Sequence, residues 1–196
     1  MIEIHGVTMI TVGTYDSVKR GMFMEYIFET NYDKKTLKTM ARVVRKTVRK
    51  KHSRRSYVFG WLVIIFGILM LFLNGGFVDI NFQKVITGMA VLAIIIALLF
   101  EDQLNGYLAG KRMLPGTKIV ITKFTEDGYT SEVKAGTTEW KYENIELVAE
   151  TSDYFAFVFG QNHAQVFEKN SLVGGTVDGF RTFIKDKTGK QIQQVK

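Results

Sequence analysis

Residues 57–73 read Tyr57-Val-Phe-Gly-Trp-Leu-Val-Ile-Ile-Phe-Gly-Ile-Leu-Met-Leu-Phe-Leu73, an unbroken apolar run. They lie within a longer segment, Ser56 to Val78, that carries no charged residue. A bilayer core of ~30 Å needs about 20 such residues at ~1.5 Å of rise each, whereas runs of about 10–14 suit a buried core helix. The stretch therefore predicts a transmembrane helix over 56–78. Tyr57 and Trp61 stand where aromatic side chains anchor a helix at the interface.

Toward the C-terminus, Asn74-Gly75-Gly76 breaks the helix and opens a short connector. A second apolar run, Val85 to Phe100, closes at Glu101-Asp102. It is short, but Phe82 extends it and Lys84 can snorkel outward, so a second span is expected over 82–100. A re-entrant or interfacial segment is the competing reading.

Toward the N-terminus, residues 22–55 hold eleven Lys and Arg against three acids, in a 196-residue chain of formal net charge +7. The connector holds one base. Basic flanks stay on the inner side of a membrane, so both termini are expected in the cytoplasm of a multi-pass protein of the cell membrane. Thr30, with Asp33 three residues on, offers a helix start, and Lys34 to Phe59 has neither Pro nor Gly. Leu37, Met40, Val44 and Val48 recur at helical spacing, so 24–55 is expected to hold a short strand at 25–29 and then a basic amphipathic juxtamembrane helix. Its cations Arg42, Arg45, Lys46, Arg49, Lys50, Lys51, Arg54 and Arg55 form an expected collar at the membrane surface, facing the anionic lipids of the inner leaflet.

Residues 1–23 form a leader without the basic start and apolar core of a secretory signal. It is expected to be a start-site artefact, with Met22 or Met24 as the true beginning, or else a disordered cytoplasmic tail.

After the second span, a helical extension and the turn Leu114-Pro115-Gly116 fill 101–116. Alternating runs follow at 117–124, 129–134, 137–142, 145–151, 154–159 and 163–168, separated by turn residues. Val177, Phe180, Phe183 and Ile184 then recur at helical spacing, and 188–196 reads as a polar tail. The expected fold is α+β: a two-helix transmembrane hairpin, and a cytoplasmic antiparallel β domain over 117–187 closed by a C-terminal helix.

This order resembles the YcxB-like family of bacterial membrane proteins. The echoes are Glu126-Asp127-Gly128 before a strand, Trp140 five residues ahead of Ile145, then Val148, Glu150, Asp153 and Tyr154, with Lys169 ending the last strand. The resemblance covers about residues 24–187. It implies a pleckstrin-homology-like partial barrel, with the N-terminal strand as its seventh, in a bacterial membrane. The leader is unmatched, and Glu168 stands where the pattern has Pro. The family has no agreed activity, so the resemblance bears on architecture.

No catalytic set is visible. Cysteine is absent, and His5, His52 and His163 lie apart, without metal-ligand spacing. Gly174-Gly175-Thr176 matches no phosphate-binding fingerprint. No catalytic, cofactor or metal site is expected. Glu101 and Asp102 are expected to meet Arg54 and Arg55 at the membrane edge. The spans carry small residues, Gly60 and Gly67 in the first and Ala90, Ala93 and Ala97 in the second, which suit close helix packing within the hairpin or between copies. Tyr129, Trp140, Tyr154 and Phe155 are candidates for an exposed patch, with core burial the stronger expectation. Nucleic-acid binding is not expected, because the aromatics fall in strands and spans rather than among the bases. The expected function is a non-enzymatic, membrane-anchored interaction module for a protein or a lipid headgroup. The alternatives are an accessory subunit of a membrane transporter or envelope enzyme, or an envelope protein with a mild stress role.

Overall fold

A computed structural model of the chain describes residues 25–73 and 81–196. The leader and its start-site reading, and the end of the first expected span, lie outside the described residues.

Strand β1 (Tyr26–Asn31) turns Tyr26, Phe28 and Thr30 inward and Glu29 and Asn31 outward, as period-two alternation dictates. It pairs antiparallel with β2 (Ile119–Phe124), so the N-terminal strand joins the C-terminal sheet. β3 (Tyr129–Val133) and β4 (Gly136–Trp140) complete a first sheet in the order β1-β2-β3-β4. A second sheet contains β5 (Leu147–Glu150), β6 (Tyr154–Val158) and β7 (Ala164–Glu168), each antiparallel to its sequence neighbour. The expected run at 145–151 starts later as a strand, because Tyr142–Asn144 form a single 3-10 turn.

The tail reading of 188–196 is corrected. β8 (Ile192–Gln194) adds to the second sheet parallel to β5, and Val195 is buried. Ile192 and Val195 are three apart in an otherwise polar stretch, so neither period-two alternation nor an apolar run betrays the strand.

Helix α5 (Val177–Thr188) closes the domain. Thr176 caps it by accepting from Gly179 N, and Gly189 ends it in the left-handed region at φ 65°. Phe180 of α5 meets Phe28, Phe124 and Phe155 with ring centroids 4.8–5.0 Å apart. Edge-to-face pairs of this kind contribute ~0.5–1.5 kcal/mol each beyond the burial of area. Every residue of β6 is buried. Phe155 and Phe157 enter this aromatic core, while Tyr154, Ala156 and Val158 face the other way.

That second face is covered by α1 (Lys34–Lys46). Its apolar stripe, with Val43 at the centre and Met40 beside it, packs together with Val48 of the following turn on Ala149, Ala156, Val158 and Val166. Two expectations are corrected here. The N-cap is Asp33, whose Oδ1 accepts from Thr36 N at 2.8 Å; Thr30 belongs to β1, where its hydroxyl accepts from Glu168 N. The basic segment is also two helices rather than one. α1 stops at Lys46, the Thr47 hydroxyl donates to Val43 O at 2.7 Å, and α2 (Lys50–Leu73) begins after the turn. A Thr side chain bonded back to the preceding turn weakens helix continuity.

α2 pairs with α3 (Phe82–Leu99), capped by Asn81, and both are long and apolar enough to cross a membrane. After Phe100, α4 (Glu101–Arg112) leads back to the domain and lies against α1.

Candidate functional site

The junction between the apolar hairpin and the β domain gathers most of the charged residues singled out in the sequence. α1 and α4 run side by side there. A Cβ added at Gly106 would stand 2.9 Å from Lys38 N, and one at Gly110 would stand 3.0 Å from the Leu37 side chain. The spacing Gly106-x3-Gly110 thus lets the α1 backbone ride directly on α4.

Below this crossing the two helices are latched. Arg45 donates from Nε to Asp102 Oδ1 at 2.6 Å and from Nη2 to Oδ2 at 2.8 Å. Arg42 Nε lies 3.5 Å from the same carboxylate, and Glu101 is 3.7 Å from Arg45 Nε. Asp102 is buried. The expected pairing of Glu101 and Asp102 with Arg54 and Arg55 is therefore corrected. Arg54 and Arg55 are exposed on the first turns of α2, whereas the break at Thr47–Arg49 leaves Arg42 and Arg45 on the helix that flanks α4.

The collar accordingly divides. Arg42 and Arg45 serve the latch, and Lys46 Nζ bonds the Lys196 carbonyl oxygen. Arg49 is half-buried, while Lys50, Lys51, Arg54 and Arg55 are exposed just ahead of the apolar run. The small residues divide too. Gly60 and Gly67 make room for Leu98 and Val91 of α3, so they close the hairpin. Ala90, Ala93 and Ala97 are exposed on the far side of α3.

Inside the domain, Glu150 is 2% exposed and holds three side chains together. Lys169 Nζ donates to its Oε1 at 2.6 Å, Arg181 forks onto both oxygens at 2.7 and 3.0 Å, and Gln194 Nε2 reaches Oε2 at 2.8 Å. Burial alone would raise this carboxyl, but the bonds from Arg181, Lys169 and Gln194 outweigh it and hold it at about 2. This knot ties β5, the end of β7, α5 and β8. Sequence reading noted Glu150 and Lys169 only as echoes of a family; their pairing across 19 positions carries no local signal.

Two further echoes anchor α1. Asp153 lies 3.0 Å from Lys35 Nζ, and the Tyr154 hydroxyl shares a hydrogen bond with Thr36 Oγ1. Tyr129, Tyr154 and Phe155 are buried, and Trp140 is half-buried, stacked on His163 at 5.4 Å, so core packing accounts for the aromatic candidates. Trp140 Nε1 is buried without a hydrogen-bond partner among the described residues. Among those residues there is also no group of three His, Asp or Glu side chains able to hold a metal ion.

An α+β domain built from two four-stranded sheets and latched to a pair of helices of membrane-span length is the class this architecture defines. Residues 124–184 match the family model described as YcxB-like protein. The match opens at Phe124 and ends at Ile184, two fully buried core residues. No curated protein and no solved structure matches the chain.

Proposed function

We propose that the chain is a two-span protein of a bacterial cell membrane, with both termini and a pleckstrin-homology-like domain on the cytoplasmic side. In this reading it acts without enzymatic chemistry, as an anchored module that engages a lipid headgroup or a protein. One observation carries the membrane part. The apolar side chains of α2 and α3 point outward, uncovered by the rest of the fold, with Phe59 69% and Phe82 81% exposed. A face of that extent is not tolerated in water and asks for hydrocarbon. The basic first turns of α2 and the single base of the connector favour the cytoplasmic orientation.

The pleckstrin-homology-like description is supported by the strand order, in which β1–β4 face β5–β7 and α5 closes the core. The interaction role is supported by the latch. It holds together α1 and α4, the two segments that lead into and out of the apolar hairpin. β4 also offers an exposed edge to an added strand.

Topology mapping tests the proposal, and the absence of native cysteine makes it clean. Single variants Glu143→Cys and Asn74→Cys in intact cells are treated with a membrane-impermeant maleimide. Labelling of the connector variant alone is expected, with the domain variant reacting only after permeabilisation. Labelling of Glu143→Cys in intact cells, or recovery of the chain in the detergent-free supernatant, overturns the reading.

A further inference from the structure

A groove of ≈ 940 Å³ lies beside the crossing of α1 and α4. Lys34 and Lys38 of α1, Lys111 of α4 and Lys118 ahead of β2 line it, and none has a carboxylate partner among the described residues. Elsewhere in the junction Arg42 and Arg45 are held by Asp102, and Lys46 by the Lys196 carbonyl oxygen. Lys35 also lines the groove but is bridged to Asp153. Asp33 is the one acid on its wall, and its carboxylate is engaged in capping α1. Four like charges from three elements raise each other's energy unless an anion sits among them.

The rest of the lining is apolar. Leu37, Met113 and the ring of Tyr107 form one side, with Lys111 Nζ 4.9 Å above that ring. Gly106 and Gly110 line it where α1 rides on α4. A simple inorganic anion would leave most of this volume and all of this apolar wall unused. The height of the groove narrows the choice further. Its lining begins at Gln103, three residues beyond Phe100, where the apolar run stops. At ~1.5 Å per residue Gln103 is about 5 Å past the apolar run and Lys111 about 16 Å, so the groove opens at a headgroup layer of roughly 5–8 Å and runs outward from it.

We infer that the groove between α1 and α4 binds the phosphate-bearing headgroup of one anionic phospholipid from the adjoining leaflet. The lysines hold the phosphate, and Leu37, Tyr107 and Met113 pack on the glycerol and first methylenes. This rests on the membrane reading above and gives it a ligand class. It differs from the diffuse attraction of the collar in being a single site.

The test uses the full-length protein in a neutral detergent, titrated with phosphatidylglycerol or phosphatidylcholine and read by native mass spectrometry. Two variants lose equal charge: Lys34→Gln/Lys38→Gln/Lys111→Gln/Lys118→Gln in the groove, and Lys50→Gln/Lys51→Gln/Arg54→Gln/Arg55→Gln in the collar. The wild type is expected to retain one phosphatidylglycerol and no phosphatidylcholine. The groove variant is expected to lose affinity at least about tenfold while the collar variant keeps it. Should the fourfold groove variant fail to fold, Lys111→Glu and Lys118→Glu, both outside α1, are read in its place. Equal loss in both variants, equal binding of the two lipids, or displacement by glycerol 1-phosphate at matching concentration overturns the assignment. Binding in detergent does not require a bilayer to be crossed, so a failed topology map and a failed titration remain separate results.

Discussion

Gly106 sits beneath the backbone of Lys38, close enough that an added Cβ would stand 2.9 Å from the Lys38 nitrogen and 3.0 Å from the Leu37 carbonyl carbon. Backbone atoms cannot swing aside as a side-chain tip can. Gly106→Ala is therefore expected to push α4 off α1 and to destabilise the full-length protein by ~1–3 kcal/mol. Gly88→Ala, where a Cβ meets nothing within 4 Å, serves as the control and is expected to be neutral. Melting of the purified proteins in detergent compares the two. An unchanged midpoint for Gly106→Ala would show that the crossing is looser than described.

Asp102→Asn keeps the shape of the latch but removes the charge that Arg45 and Arg42 share. The pair is only partly buried, since the Arg45 side chain is 27% exposed, so a loss of about 1–3 kcal/mol is expected rather than the larger cost of a fully buried pair. Hydrogen exchange along α1 and α4 should accelerate in this variant. In Arg54→Gln/Arg55→Gln it should not, because those side chains do not touch the acidic pair.

Glu150 supplies a pH dependence whose sign is fixed. Its folded carboxyl is held at about 2 against an ordinary value of 4.5, so its contribution is complete above the ordinary value and fades as pH falls toward 2. The full contribution is about 3 kcal/mol at neutral pH. Glu150→Gln is expected to destabilise the protein at pH 7, leaving Lys169 without a carboxylate and Arg181 with Asp178 alone, and to flatten the acid limb between pH 4.5 and 2. Unfolding measured across that window checks both halves. A mutant curve parallel to the wild type would remove Glu150 as the source.

The two sets of small residues in the apolar helices should answer differently to bulk. Gly60→Ile is expected to displace Leu98 and splay α2 from α3, whereas Ala93→Ile adds bulk to a face that is already exposed. Disulfide cross-linking between introduced cysteines on α2 and α3 reads the difference. Loss of the cross-link in Ala93→Ile alone would reverse the assignment of faces.

Much of this architecture could be read from the chain, because it depends on local pattern. Tyr57 to Leu73 had to be a long apolar helix, the alternation in 154–159 had to be a strand, and Val177, Phe180 and Ile184 had to lie on one helical face. What escaped depends on partners distant in sequence. Asp102 could be given its proper arginines only once the break after Lys46 was known, and no Pro or Gly marks that break. Gly106 and Gly110 have a packing spacing, but beyond the end of the apolar run it reads as plain helix extension. β8 is one apolar residue wide and parallel to its partner. Thr30 and Asp33 are both good caps, and the claim of β1 on Thr30 decided between them.

The connections that join the sheets to the hydrocarbon-seeking rods are both interrupted near one level, at Thr47–Arg49 on one side and at Phe100 on the other, with Arg45 and Asp102 fastened beside them. Two such joints side by side make a swivel. In the membrane placement proposed above, a thicker or thinner bilayer would lean the rods without prising α1 from α4, so the folded head would keep its bearing while its stalk tilts.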